Sequence, residues 1–204
     1  MAQHQEVEIK FRVQSVHALN QRLKREGFRL ITKRTHEMNT LYDLRGQRLR
    51  KRDEMLRLRL YGSEWTLTHK AKSKTGRHKK RVEHETQVHD GEQVDLILRA
   101  LGFAPTFRYE KFRAEWTDGR GKVVVDETPI GNFGEIEGRP RWIDQTARGL
   151  GLLRRDYITE TYAPMFFRWK KMTRSSAKEM TFDAIRSASR RSRHSTKVTH
   201  QTNQ

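Results

Sequence analysis

Several stretches of this chain alternate between charged and apolar positions. In the first, Glu6, Glu8, Lys10 and Arg12 fall on one parity, with Val7, Ile9, Phe11 and Val13 on the other. Arg57 and Arg59 alternate with Leu56, Leu58 and Leu60, and Arg81, Glu83 and Glu85 flank Val82 and His84. Lys111 and Arg113 share a parity, as do Glu135 and Glu137 around Ile136. A period of two separates the faces of a β-strand. Further strands are expected at residues 40–43, 65–72, 109–116 and 122–126. Loops are expected at residues 45–54, 73–80 and 118–121. About eight strands in succession, with turn signals between several of them, predict an antiparallel barrel or sandwich.

Helical spacing interrupts the alternation in three places. Ser15 is placed to cap a helix carrying Val16, Leu19 and Leu23 on one face. Asp90 with Gln93 resembles a capping box ahead of Val94, Ile97, Leu98 and Leu101. A third helix is expected around residues 143–150. Each follows a Glu-x-Glu strand, and Gly27, Gly102 and Gly151 suit their C-terminal ends. The threefold recurrence of strand, helix, glycine and apolar residue predicts a pseudo-symmetric β-fold decorated by helices.

Taken singly, each charged face would meet water and each apolar face a core. Two features reverse that reading. Carboxylates and cations cluster together on the charged faces, strand after strand, and amphipathic helices are available to cover an outer apolar surface. An eight-stranded barrel can hold one small ligand. With the helices outside, its charged lumen would suit a polyanion bridged to carboxylates by divalent cations.

The ordered set of motifs carries a resemblance. Glu6-Val7-Glu8-Ile9-Lys10 is similar to the N-terminal signature of the CYTH superfamily, the triphosphate tunnel metalloenzymes. Leu56–Arg59, Leu67–Lys70, Arg81–Glu85, Lys111–Arg113, Val125-Asp126 and Phe133–Glu137 follow in that family's order. The likeness covers roughly residues 4–165. The Leu101–Phe103 and Phe133–Glu137 segments most resemble the class IV adenylate cyclase branch. The resemblance implies an α+β fold, a closed eight-stranded antiparallel barrel with helices packed outside. It implies Mg²⁺ or Mn²⁺ held by Glu6, Glu8, Glu135 and Glu137, with Asp126 as a further ligand or an orienting partner. Lys10, Arg57, Arg59, Lys70, Arg81, Lys111 and Arg113 would hold phosphates, Lys10 also taking a catalytic role. Glu83 and Glu85 would bind a second metal or orient a nucleophile. The implied substrate is a triphosphate (ATP, thiamine triphosphate or tripolyphosphate). The reaction is cyclisation of ATP to cyclic AMP and pyrophosphate, or else triphosphate hydrolysis.

Composition adds the rest. The net charge of +18 calls for an anionic partner. Beyond residue 170 the pattern fails and basic residues dominate, so residues 1–170 are expected to form the barrel domain and 171–204 a basic, disordered or loosely helical tail. That tail could touch nucleic acid or an anionic surface weakly. The non-enzymatic rivals are a barrel that binds triphosphate or polyphosphate without turnover and a nucleic-acid-binding module, the latter supported by aromatics interleaved with cations at residues 107–116. The nucleic-acid module leaves the repeated Glu-x-Glu pairs unexplained, and the competing expectation turns Phe112 and Trp116 outward and Lys111 and Arg113 inward. The chain has no cysteine and no stretch apolar enough for a membrane helix, and it begins without an apolar leader. A cytoplasmic protein is expected.

Overall fold

The structure is a computed structural model that describes residues 5–74 and 76–198. Eight strands close into one antiparallel barrel. They are β1 (Gln5–Val13), β2 (Arg29–Leu44), β3 (Met55–Tyr61), β4 (Glu64–Lys70), β5 (Lys79–Val88), β6 (Phe103–Thr117), β7 (Lys122–Thr128) and β8 (Gly131–Glu137). The order around the wall is β1-β5-β4-β3-β2-β6-β7-β8, and β1 meets β8 with Glu8 opposite Glu137 and Lys10 opposite Glu135.

Helices cover the outside. Helix α1 (Val16–Arg25) begins where the Ser15 hydroxyl accepts from the Ala18 N–H. Helix α2 (Arg48–Lys51) is a single turn. Helix α3 (Gly91–Ala100) is capped by Asp90, which accepts from the Glu92 and Gln93 N–H groups. Helix α4 (Pro140–Gly149) has proline in its first turn, where no donor is lost. Gly27, Gly102 and Gly151 follow α1, α3 and α4 at φ of 83°, 87° and 73°, a left-handed ending that glycine reaches without strain.

The apolar parity of the strands faces these helices, not the lumen. Val7, Ile9 and Phe11 of β1 join Val123, Val125 and Ile136 beneath Leu23 of α1 and Trp142, Ile143 and Ala147 of α4. Leu58 and Tyr42 pack against Leu98 of α3 in the same way. Gly134 is required in this wall. A Cβ there would lie 2.1 Å from the Phe11 ring, which crosses the strand at that point. Trp116 is buried in the α1–α4 core, and Phe112 packs on Phe182, so both aromatics turn outward as the barrel reading requires.

The C-terminal segment, expected as a disordered or loosely helical tail, is helical over much of its described length and packs on the barrel. Helix α5 (Tyr162–Thr173) fills one end of the barrel, with Tyr162, Met165 and Phe166 against Phe107, Tyr109 and Phe133. Helix α6 (Phe182–Val198) follows, and Ala177, Met180 and Ala188 are buried in the same cluster. The chain leading to α6 also pairs with the wall: the Met180 N–H donates to the Arg108 carbonyl at 3.0 Å, and the Glu110 N–H to the Met180 carbonyl at 3.1 Å. Ile158 makes an antiparallel bridge with Lys10 of β1, each N–H donating to the other's carbonyl. Ala177, Met180, Phe182, Ile185 and Ala188 are the few apolar groups in a basic stretch, and they are enough to dock it. The last part of the expected tail, residues 199–204, lies outside the described residues. Among the described residues no helix is long and apolar enough to cross a membrane.

Met180 is fully buried, so Met180→Ala is expected to cost about 2–5 kcal/mol of unfolding free energy by urea denaturation. An unchanged midpoint would mean that the segment does not dock.

Candidate functional site

Alternation on all eight strands carries one parity into the lumen, a cavity of about 880 Å³. Glu6, Glu8 and Lys10 of β1, Arg57 and Arg59 of β3, Lys70 of β4 and Arg81, Glu83 and Glu85 of β5 line it. Lys111 and Arg113 of β6 and Glu135 and Glu137 of β8 complete the set expected from the sequence. Asp126 of β7 stands behind them, fully buried.

Two ion-pair lattices organise these groups. The deeper one centres on Asp126, whose carboxylate accepts from Lys111 Nζ at 2.9 Å and from Arg113 Nε and Nη2, each at 2.7 Å. It also accepts from the Tyr162 hydroxyl at 2.6 Å. Arg113 Nη2 reaches Glu135 at 2.6 Å, and Lys10 pairs with the same carboxylate. Glu37 of β2 lies 3.4 Å from Lys111 Nζ and accepts from the Asn39 amide at 2.9 Å. Tyr162 enters from α5, and Lys10 and Lys111 Nζ sit 4.6 and 5.0 Å from its ring centroid. The turn that begins α5 therefore forms the floor of the cavity.

The second lattice lies on the β3–β4–β5 wall. Glu85 holds Arg57 at 3.4 Å, Arg59 at 3.2 Å and the Thr68 hydroxyl at 2.7 Å. Lys70 Nζ lies 2.6 Å from Glu6 and 3.0 Å from Glu83, and Lys79 Nζ lies 2.9 Å from Glu8. Arg81 reaches to the rim, donating to the Asp53 carboxylate at 2.7 Å. Glu83 and Glu85 thus stand as partners of cations. Arg57 Nε and Arg81 Nε find no acceptor among the described residues, although both are buried.

Burial and neighbours set the charges. Burial opposes ionisation of Lys10, yet Glu135 and Glu8 outweigh it and push its pKa up. Lys10 is therefore a fixed cation and a poor proton shuttle. Burial likewise opposes the Glu37 carboxylate, but Lys111 and Arg113 hold its pKa down at about 2. Glu135 is lowered well below the ordinary value by Lys10 and Arg113 against the same opposition. Glu137 goes the other way: burial first, then the Glu6 and Glu8 charges, raise it to about 7.

This last group tests whether a divalent cation fits. Glu137 has no ion-pair partner among the described residues, whereas Glu6 and Glu8 are held by lysines. Three partly buried carboxylates, with the Glu6 and Glu8 charges raising the proton affinity of Glu137, form a set of hard oxygen donors short of positive charge, which suits Mg²⁺ or Mn²⁺. Among the described residues, no three carboxylate or imidazole groups are already drawn together tightly enough to hold a metal. The donors fit in kind, and Lys70 and Lys79 occupy two of them.

Sequence reasoning missed several lumen groups. Lys79 falls in the stretch expected as a loop, and Glu37 and Asn39 lie outside the short strand expected at residues 40–43. The signal was present, since Glu37, Asn39 and Leu41 alternate with Met38 and Thr40. Lys72, beyond the end of β4, is exposed at the rim. Tyr162 could not be found by alternation, because it comes from a helix.

Comparison with known proteins agrees with this geometry. The family model described as the CYTH domain matches residues 4–162. A Methanocaldococcus jannaschii protein named "Putative adenylate cyclase" is 28% identical over 133 residues, 65% of this chain and 75% of that one. Among solved structures, a "putative adenylate cyclase" from Vibrio parahaemolyticus superposes with a TM-score of 0.72 at 17% identity, over 81% of this chain and 99% of that one. A Hippeastrum protein, described as a "putative adenylyl cyclase" that reveals a dominant triphosphatase activity, gives 0.58 at 20%, over 80% and 95%. At these identities the two structures establish likeness of fold.

The depressed Glu37 pKa gives a sign-definite expectation. Its contribution is complete above the unfolded value of 4.5 and is lost as pH falls through about 2. The difference corresponds to about 3 kcal/mol. In Glu37→Gln the decline of the urea midpoint between these pH values should be shallower than in the unaltered chain. An equally steep decline would remove Glu37 from the ionised lattice.

Proposed function

The chain belongs to the CYTH-domain family, and from that premise we propose that it is a metal-dependent enzyme that binds a triphosphate in the barrel lumen and hydrolyses it. The observation that carries this reading is the charge balance of the lumen. Nine lysines and arginines line it against seven glutamates, and buried Glu37 and Asp126 bring the acids to nine. Such a cavity has no spare positive charge for a polyanion. A triphosphate enters favourably only with cations of its own, beside carboxylates short of them.

In this proposal Glu6, Glu8 and Glu137 hold Mg²⁺ or Mn²⁺. A bound divalent ion neutralises phosphate oxygens and orients a water for attack. Arg57 and Arg59, fixed by Glu85, Thr66 and Thr68, present planar donors to phosphate oxygens. Lys111, Arg113 and Lys10 grip from the floor, held in place by Asp126 and Glu135. Asp126 therefore acts as an orienting partner, since its oxygens are already engaged by three cationic donors and Tyr162. Lys70 and Lys79 turn from Glu6 and Glu8 towards the phosphates, exchanging one anionic partner for another. Water adds to the terminal phosphorus, and the bridging oxygen leaves on the diphosphate. Preorganised charge supplies most of the acceleration, as is general for phosphoryl transfer.

Cyclisation of ATP is the second reading. The names of the archaeal and Vibrio relatives favour it, and a cavity of about 880 Å³ has room for a nucleoside as well as its phosphates. It requires the ribose 3′-hydroxyl in line with the α-phosphate. Hydrolysis requires only the groups just named.

Purified protein with Mg²⁺ or Mn²⁺ should release orthophosphate from tripolyphosphate, which has no ribose to cyclise. Cyclic AMP with equal pyrophosphate from ATP, and no orthophosphate, would favour the second reading. Glu8→Gln should lower turnover by at least about 100-fold with its unfolding midpoint little changed. Full activity in excess chelator would overturn the metal-dependent mechanism.

A further inference from the structure

A second concave site lies on the outer wall, away from the lumen. Helix α4 buries Trp142, Ile143, Thr146 and Ala147 against the barrel, and helical spacing puts Arg141, Gln145 and Arg148 on the opposite stripe. The loop before β5 brings Arg77 alongside, and a 3₁₀ turn at Arg154–Asp156 brings Arg154. Together with Leu152, Leu153 and Tyr157 they enclose a groove of about 500 Å³.

Its electrostatics are one-sided. Asp144 is the one carboxylate lining the groove, and it is already taken. It accepts from Arg77 Nε at 3.1 Å, stands 3.0 Å from the buried His78 ring nitrogen and is 3.4 Å from the Tyr157 hydroxyl. Arg141, Arg148 and Arg154 have no ion-pair partner among the described residues. The everyday account of such arginines is solvation, and Arg148 also suits a helix C-terminus. Arg141 does not fit that account. It stands in the first turn of α4, which has no acid, so it opposes the helix dipole. A free-standing helix surface also does not require four guanidiniums around one concavity.

We propose that this groove binds a condensed phosphate, meaning two or more linked phosphoryl groups, free or on a nucleotide. Guanidinium forks match phosphate oxygens in pairs. Arg141 and Arg148 are seven residues apart, roughly 10 Å along the helix, a span that a single phosphate does not bridge. The apolar wall of Leu152, Leu153 and Tyr157 leaves a surface for a sugar or base. The groove shares no side chain with the lumen, so its ligand binds whether or not the lumen is catalytic.

Calorimetric titration of pyrophosphate into the full chain, with Mg²⁺ present so that the lumen can also load, tests this. Two classes of site are expected, and orthophosphate should bind the groove class at least ten-fold more weakly. Arg148→Gln/Arg154→Gln, both at exposed positions, should weaken one class at least ten-fold and leave the other. Arg57→Gln should do the reverse. If Arg57→Gln alters neither class, the lumen reading fails while the groove stands. A single class untouched by the groove variant overturns the proposal. So does binding of an RNA oligonucleotide at these arginines that pyrophosphate does not displace.

Discussion

Taking an ionised side chain out of water costs several kcal/mol even in a relaxed protein, and leaving it unpaired costs more. This barrel buries Lys10, Arg57, Lys70, Lys111, Glu37, Asp126 and Glu135, each less than a tenth exposed. It remains foldable because the cost is met within the strands. Asp126 compensates Lys111 and Arg113, Glu135 compensates Lys10 and Arg113, and Glu85 compensates the two β3 arginines. Every other feature follows from that constraint. The apolar parity must face outward, so helices must lie outside, and the hydrophobic cores form between wall and helix.

The same constraint shapes how a ligand is received. A lumen of satisfied pairs binds a polyanion by substitution, with cations passing from glutamate to phosphate. Among the described residues Glu137 stands without an ion-pair partner, and its raised proton affinity marks where positive charge is missing. Asp126 has no comparable freedom. Tyr162 adds a third donor to its Oδ2 while Arg113 Nε holds Oδ1, so it fixes the floor while the β1 and β8 carboxylates stay adaptable.

Strict alternation made much of this legible from the sequence. Where β1, β3 and β8 alternate charge with aliphatic residues, both the strand and its inward face could be assigned residue by residue. The reading weakened where the lumen parity is not uniformly charged. On β2 it runs Glu37, Asn39, Leu41, and the strand was drawn too short. On β5 the inward Lys79 follows a basic loop and merged with it. The C-terminal segment failed for another reason. Ala177 and Met180 dock by filling a gap beside an irregular strand, a fit with no period, and the helical spacing of Phe182, Ile185 and Ala188 is short and submerged in basic residues.

The pairing of Met180 with β6 has a further consequence for how the molecule is made. The residues that line the lumen are all present in the nascent chain by Ala163, and β1 can meet β8 before α6 exists. The edge of β6 at Arg108 and Glu110, however, stays open until Met180 leaves the ribosome. Throughout that interval a newly synthesised chain presents an exposed strand edge beside Phe107 and Tyr109, the kind of surface that recruits chaperones or pairs with another chain. The interval between the emergence of β6 and that of Met180 is thus a period of vulnerability for this barrel, because the residue that closes the edge lies about 70 positions after it.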